Sequence, residues 1–167
     1  MGRKTVSVTV TALASAVSIA LLYLGSILPT GQLGFTAATV FASLLAASYG
    51  GILASVFTYA VTLVLGLIIL PVKSQLFLYA LFFGYYPILK TVLDKLPYPA
   101  AISIKLVAVN LSLMFIKILL SDVFTGVSLF RVHTFFYYIA GSLIFVLFDL
   151  GVTKAWQYLQ NRLPNMH

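Results

Sequence analysis

The chain has 167 residues, of which 62% are hydrophobic and only 8% are charged, whereas soluble domains carry about 25% charged residues. This composition, with a mean hydropathy of +1.10, excludes a soluble globular domain. Ten Lys and Arg residues against three Asp and Glu residues give a net charge of +7. In a chain this apolar, we attribute the excess to the positive charge that membrane proteins keep on the cytoplasmic side, and we expect no nucleic acid as a partner.

The number of spans follows from the breaks in the apolar sequence, because a membrane-spanning helix needs about 20 mostly apolar residues. Polar, Gly-rich or Pro-rich breaks fall around residues 29–34, 49–51, 71–75, 94–99 and 121–131. They leave six apolar segments, at 5–28, 34–49, 51–70, 75–93, 101–121 and 132–157. The sequence therefore predicts an all-α integral membrane protein, with residues 1–167 forming a single transmembrane domain that is a compact bundle of six helices.

The Lys and Arg residues predict how this bundle is oriented. If the N-terminus lies in the cytoplasm, only Lys73 and Arg131 fall in outer loops, and the other basic residues of the loops and helix ends face inward. The opposite orientation would invert the bias that membrane proteins show. We therefore predict a multi-pass protein of the cell membrane, surrounded by lipid, with both termini in the cytoplasm.

The first predicted helix carries a stripe of small residues. Ala12, Ala16 and Ala20 recur at a spacing of four residues, which places them on one helix face. Small residues at this spacing let another helix approach closely. The stripe predicts a helix-docking surface, although alanine is also common in membrane helices in general.

The fourth predicted helix presents an amide-and-aromatic face, formed by Gln75, Tyr79, Phe82, Phe83 and Tyr86. Such a face can stack a planar ligand, or it can be an aromatic stripe that faces lipid or the protein core. Pro87 removes the helical hydrogen-bond donor for the carbonyl of Phe83. We therefore expect the helix to kink there or to recruit another donor.

The fifth predicted helix has a polar face. Asn110 and Lys117 are seven residues apart and therefore nearly eclipsed on the helix. They can share a cavity with a small ligand, which would also contact Gln75 and Tyr79. Alternatively, Lys117 extends to the outer headgroups and Asn110 bonds a neighbouring helix.

Basic and aromatic residues cluster at the outer end of the sixth predicted helix. Arg131, His133 and Tyr137, with Lys73 and Lys117, give the outer face a positive charge that would attract an anionic or zwitterionic small molecule, or lipid headgroups.

Asp149 is the one acid well inside a predicted span. It can pair with a lysine near the inner face or relay protons, and we expect the pairing because no second buried acid or His accompanies it.

Catalytic signatures are missing from the sequence. Cys is absent and there are two His residues, so we expect neither a metal nor another cofactor. There is no nucleophile elbow, no His-Glu-x-x-His pattern and no phosphate-binding loop. We predict that the chain is not an enzyme and cannot hydrolyse ATP itself.

Several features occur together in one known family. They are the six short-looped helices with both ends inside, the stripe of Ala12, Ala16 and Ala20, a polar first outer loop with glycine, and the motif Phe83-Gly84-Tyr85-Tyr86-Pro87-Ile88-Leu89-Lys90 at the end of the fourth helix. In these the chain resembles the substrate-binding S components of energy-coupling factor (ECF) vitamin transporters.

This resemblance implies that the chain captures a small micronutrient outside, while a transmembrane coupling subunit and two cytoplasmic ATPases drive its release inward. In that family the small-residue face of helix 1 docks on the coupling subunit, which assigns that role to Ala12, Ala16 and Ala20. The family's pocket lies near the outer face, which by position assigns substrate contacts to Gln32, Gln75, Tyr79, Asn110, Lys117 and His133. No thiamine-, biotin-, riboflavin- or cobalamin-type signature is present, so the substrate stays open.

A second function is compatible with the same layout. Membrane scaffolds of the rod-shape-determining type are similar in size and helix count. Such a scaffold would use the alanine stripe and the inner lysines to bind partners and would need no pocket. A tightly bound small molecule distinguishes the two functions.

Overall fold

The computed structural model describes residues 3–28, 31–120 and 134–162. The regular elements within them are all helical, which confirms the predicted all-α class. In chain order they are α1 (Arg3–Ile27), α2 (Gln32–Ile69), α3 (Lys73–Leu78), a π-helical turn (Tyr79–Phe83), α4 (Tyr86–Leu93), α5 (Tyr98–Leu120) and α6 (Thr134–Arg162). The chain up to Lys95 forms one compact unit, and α5 and α6 form a second.

Five stretches of the described chain are long and apolar enough to cross a membrane. They are Thr5–Ile27, Gln32–Ile69, Lys73–Leu93, Pro99–Ile116 and Phe136–Tyr158. Four of these stretches have 18–23 residues, lengths that match the hydrocarbon thickness of a bilayer, about 30 Å, at a rise of about 1.5 Å per residue. The helices are those of a multi-pass membrane protein.

Helix α2 is too long for one span, since its 38 residues would extend about 57 Å if straight. It is interrupted at Gly51, whose backbone is non-helical, with φ 68° and ψ −160°. Beyond it, the Ser55 hydroxyl donates to the carbonyl of Ser43 at 3.1 Å, although twelve residues of straight helix would separate the two by about 18 Å. The chain therefore doubles back at Gly51, where the sequence predicts a break, into a first arm (residues 32–50) and a second arm (residues 52–69).

The packing of α1 follows from two close approaches. Near its start, Ser7 lies against Gly50 at the bend of α2, and near its end, Gly25 lies against Phe35 and the side chain of Gln75. Helix α1 is therefore antiparallel to the first arm, and α3 begins at the end of the unit where α1 ends. Small residues make the approach possible, because Ala14, Ala46 and Ala54 form a shared core cluster.

The α-helical pattern between Lys73 and Leu93 is interrupted, as the sequence predicts from Pro87. The backbone N–H of Gly84 donates to the carbonyl of Tyr79 at 2.7 Å, which forms the π-helical turn, and Pro87 lies in the first turn of α4. The interruption thus begins about two turns before the proline. The carbonyl of Ala80 loses its usual donor, Gly84, and instead accepts a bond of 3.1 Å from the hydroxyl of Tyr59 on the second arm.

Helices α5 and α6 form an antiparallel hairpin. Lys105 is bonded to Asp149, and five residues further along α5, Asn110 is bonded to Ser142, which lies seven residues earlier in α6. A third contact follows the same antiparallel alignment, since the Tyr137 hydroxyl of α6 donates to the carbonyl of Leu113 of α5 at 3.5 Å. Polar side chains therefore set the alignment of these two helices.

Replacing Gly51 by alanine tests the bend in α2. Only glycine adopts this backbone conformation readily, and strain of this kind costs about 1–3 kcal/mol. The cost should come from strain alone, since no atom lies within 4 Å of an added Cβ. We expect Gly51→Ala to lower the unfolding temperature of the purified protein. The control is Gly34→Ala, an exposed helical position with equal space, where alanine is neutral or stabilises by up to about 1 kcal/mol. Equal effects of the two substitutions would contradict the bend.

Candidate functional site

The first unit has many polar side chains in its interior and large apolar side chains on its exterior. Its buried polar side chains, each at most 2% exposed, are Ser15, Ser18, Thr36, Thr39, Ser43, Ser55, Thr58, Thr62 and Gln75. Large aliphatic side chains such as Leu53 and Ile68 lie on the surface. Soluble proteins place their charged and polar groups outside, so this arrangement suits a lipid surround, in which polar groups must find partners inside the protein.

Gln75 is the centre of a polar cluster at one end of this unit. Its side-chain nitrogen donates to the carbonyl of Gln32 at 3.0 Å and to the hydroxyl of Thr36 at 2.7 Å. Two predicted substrate-binding residues, Gln32 and Gln75, are thus brought together, Gln32 through its backbone. Thr36 is not among the binding residues predicted from the sequence. A signal for it exists, because Thr36, Thr39 and Ser43 recur at helical spacing and so predict a hydroxyl-bearing helix face.

Tyr79, one turn after Gln75, is 1% exposed. Its ring lies 5.9 Å from that of Tyr59, at an angle of 38°. Phe83 and Tyr86 are buried as well. Of the two interpretations of the aromatic face, these three side chains therefore favour packing in the core.

In the second unit, Asn110 links α5 to α6. Its side-chain nitrogen donates to the carbonyl of Leu106 at 2.8 Å and to the hydroxyl of Ser142 at 3.1 Å. The amide therefore makes the interhelical bond that one interpretation expects of it. It also lines an open depression of about 530 Å³ between α5 and α6. The side chain of Lys117 and the whole of Asp122, Arg131 and His133 lie outside the described residues.

Lys105 and Asp149 form a buried ion pair. The ammonium and carboxylate groups are 3.0 Å apart, and each side chain is 5% exposed. The expectation that Asp149 pairs with a lysine is thus confirmed. Charges in an apolar surround are stable only when they are paired and hydrogen-bonded. Each of the two residues therefore offsets the cost of burying the charge of the other.

An open groove runs between α1 and the second arm of α2. Its volume is about 1230 Å³, and the three alanines of the predicted docking stripe, Ala12, Ala16 and Ala20, lie along it. The opposite wall consists of side chains four residues apart, Leu53, Phe57, Val61, Leu65 and Ile69. From Ser7 to Tyr23, the length along α1 is about 24 Å. The groove is therefore nearly as long as the hydrocarbon layer is thick, and the α1 wall contains the three alanines of the stripe together with larger side chains such as Ile19 and Tyr23.

Breaking the buried ion pair tests its role in α5–α6 alignment. We expect Lys105→Met to lower the free energy of unfolding by about 3–5 kcal/mol, because Asp149 stays buried without its countercharge. The double variant Lys105→Met/Asp149→Leu should recover most of the loss. Lys154→Met, at an exposed lysine of α6, is the control and should change stability little. Equal stabilities of Lys105→Met and Lys154→Met in chemical denaturation would show that the pair does not support the hairpin.

Metal chemistry gains no support from the described residues, which contain no group of three or more His, Cys, Asp or Glu side chains placed to hold an ion. No protein-family model, curated protein or solved structure matches the chain. The functional conclusion therefore depends on the chain's own residues: an apolar groove of membrane length on one side of α1, and buried polar side chains on the other.

Proposed function

We propose that the chain is the membrane-embedded substrate-binding subunit of an ECF-type importer in the cell membrane. It captures a small micronutrient at the outer face, and partner subunits drive uptake with ATP. The observation that carries the proposal is the groove along α1. It is open, apolar and about 24 Å long, and it contains the three alanines for which the family resemblance implies a docking role.

The occupant that suits this groove is a transmembrane helix of the coupling subunit. Ala12, Ala16 and Ala20 are exposed along it, so a partner helix can approach the α1 backbone closely. The aliphatic and aromatic wall of the second arm would cover the other side of that helix. Partner binding by this surface needs neither charge nor catalysis.

The candidate substrate-binding residues of this proposal are considered unit by unit. Gln32, Gln75 and Tyr79 are the candidates in the first unit, and Asn110, Lys117 and His133 are those in the second. Supporting this, Gln75 and Thr36 already form a buried hydrogen-bonded cluster where α2 and α3 begin. In the proposed orientation, with both termini in the cytoplasm, this cluster lies at the outer end of the first unit.

Blocking the groove tests the docking surface. We expect Ala16→Leu to reduce co-purification of a coupling subunit by about tenfold or more, because overpacking a close helix contact costs about 1–3 kcal/mol. The control is Ala60→Leu, the same substitution at an exposed position of the second arm that does not line the groove. A normal partner ratio in Ala16→Leu would show that this surface is not the dock.

Capture of a small molecule distinguishes the importer from a scaffold. We expect native mass spectrometry of the purified chain to reveal a bound anionic or zwitterionic metabolite. Lys117→Met should then weaken its binding about 10–100-fold, because a charge-assisted hydrogen bond is worth about 1.5–3 kcal/mol. Lys154→Met is the matched control and should leave affinity unchanged. A chain that carries no metabolite yet still binds partners through the groove would favour the scaffold instead.

A further inference from the structure

A tyrosine of the second arm of α2 makes two contacts with the π-helical turn. The hydroxyl of Tyr59 donates at 3.1 Å to the carbonyl of Ala80, which has lost its usual helical donor because the N–H of Gly84 bonds Tyr79 instead. The ring of Tyr59 lies beside Gly84, since an added Cβ at Gly84 would come within 2.6 Å of two of its carbons. We call Tyr59, Ala80 and Gly84 the tyrosine latch.

The π-helical turn depends on this latch for a hydrogen bond. A carbonyl without a donor is costly at membrane depth, because lipid offers no hydrogen to replace the one that is lost. Gly84 is buried, and only the absence of its side chain leaves room for the ring of Tyr59. The glycine of the motif that ends the fourth predicted helix thus gains a physical role.

The sequence around the turn also fits a continuous α-helix. The buried residues Gln75, Tyr79, Tyr86, Lys90 and Leu93 follow one another at intervals of four, seven, four and three positions, which an α-helix places on one face. The π-helical turn inserts one residue into that pattern and so rotates the residues after it by about 100°. The stretch Lys73–Leu93 therefore has two forms open to it, the π-form of the structure and an α-form that aligns these residues.

Gln75 determines which part of this stretch would move. Its side-chain nitrogen bonds α3 to the first arm, at the carbonyl of Gln32 and the hydroxyl of Thr36. These two bonds hold the part before the π-helical turn in place. A change from the π-form to the α-form would therefore be taken up by α4.

The last residues of α4 report such a change. In the α-form each residue of α4 takes the place that its successor holds in the π-form. Val92, which is 45% exposed, would take the place of Leu93, which is 5% exposed. Leu93 would take the place of Asp94, whose side chain is 49% exposed. The exposure of position 93 thus distinguishes the two forms.

We propose that the tyrosine latch is a conformational device: with Tyr59 seated the π-form is held, and its release lets α4 turn by one residue into the α-form. Phe57 and Val61, two residues before and after Tyr59, line the groove and lie about 160° around the helix from it. The latch is therefore on the side of the second arm that faces away from the groove. A displacement of this arm is the movement that opens it. The inference does not depend on the proposed transport function.

Single cysteines test the proposal, because the natural chain has no Cys. In the full chain, purified in detergent, we expect Val92→Cys to react quickly with a water-soluble maleimide and Leu93→Cys to react slowly. Tyr59→Phe removes the hydroxyl of the latch and keeps its ring. Loss of this hydrogen bond should shift the balance between the forms about tenfold, so the rate at Leu93→Cys should rise about tenfold and that at Val92→Cys should not rise. Tyr49→Phe, at a tyrosine that is 44% exposed, is the control and should change neither rate.

Deletion of Leu81 distinguishes loss of the π-form from a general loss of stability. Without this residue, the bond from Gly84 to Tyr79 becomes an ordinary α-helical bond, and the next N–H along the helix reaches the carbonyl of Ala80. The residues of α4 keep their present faces. In this background Tyr59→Phe should leave the labelling rate at position 93 unchanged. A rise as large as that in the chain with Leu81 would overturn the proposal, because the hydroxyl would then stabilise the unit in both forms.

Gly84→Ala opens the latch with all residues of the turn present. Its Cβ would collide with the ring of Tyr59, so we expect it to raise the labelling rate at Leu93→Cys as Tyr59→Phe does. The two substitutions together should add little to either alone, since both act on one contact. An unchanged rate in either single variant would show that the latch does not hold the π-form.

Discussion

The bend at Gly51 is the constraint on which the first unit depends. A straight α2 would carry its second half far beyond the bilayer, and none of the interior described above could form. Once the chain doubles back, Ser55 reaches the carbonyl of Ser43, and Ala46 and Ala54 become neighbours in the core with Ala14 of α1. The same bend sets the second arm beside α1, where its apolar side chains form one wall of the groove. One glycine with a positive φ angle thus organises both the interior and the exterior of this unit.

A lipid surround explains why so many polar side chains lie in the interior. Apolar burial contributes little to helix association when the solvent is itself hydrocarbon, so packing and interhelical hydrogen bonds become the main sources of stability. The chain follows this rule in both units. Small and hydroxyl-bearing residues separate α1 from the arms of α2, while Asn110–Ser142 and Lys105–Asp149 connect α5 to α6. These contacts are polar or small, and many large aliphatic side chains, such as Leu53 and Ile68, face outward.

Features that depend on local sequence were predictable, and features that depend on register were not. The break at Gly51 and the disturbance before Pro87 follow from glycine and proline themselves. A lysine partner for Asp149 follows from the cost of a lone buried acid, but the choice of Lys105 among several lysines requires the α5–α6 alignment. Gln75 was singled out as polar, yet its bond to Thr36 spans 39 positions.

On the second arm of α2, consecutive residues face the groove and the interior of the unit. Val61 lines the groove, while Thr62 is buried in the interior of the first unit. Close-packed helices shift as units and do not deform locally. A partner helix that packs against Val61 would therefore also move the helical turn that contains Thr62. The same holds for α1, where Ala16 lines the groove and Ser18, two residues later, is buried. Under the proposed function, occupation of the groove and hydrogen bonding in the interior would therefore be linked through single helical turns. Such linkage is reciprocal: a change in the interior would alter the affinity of the groove for its partner by the same free energy.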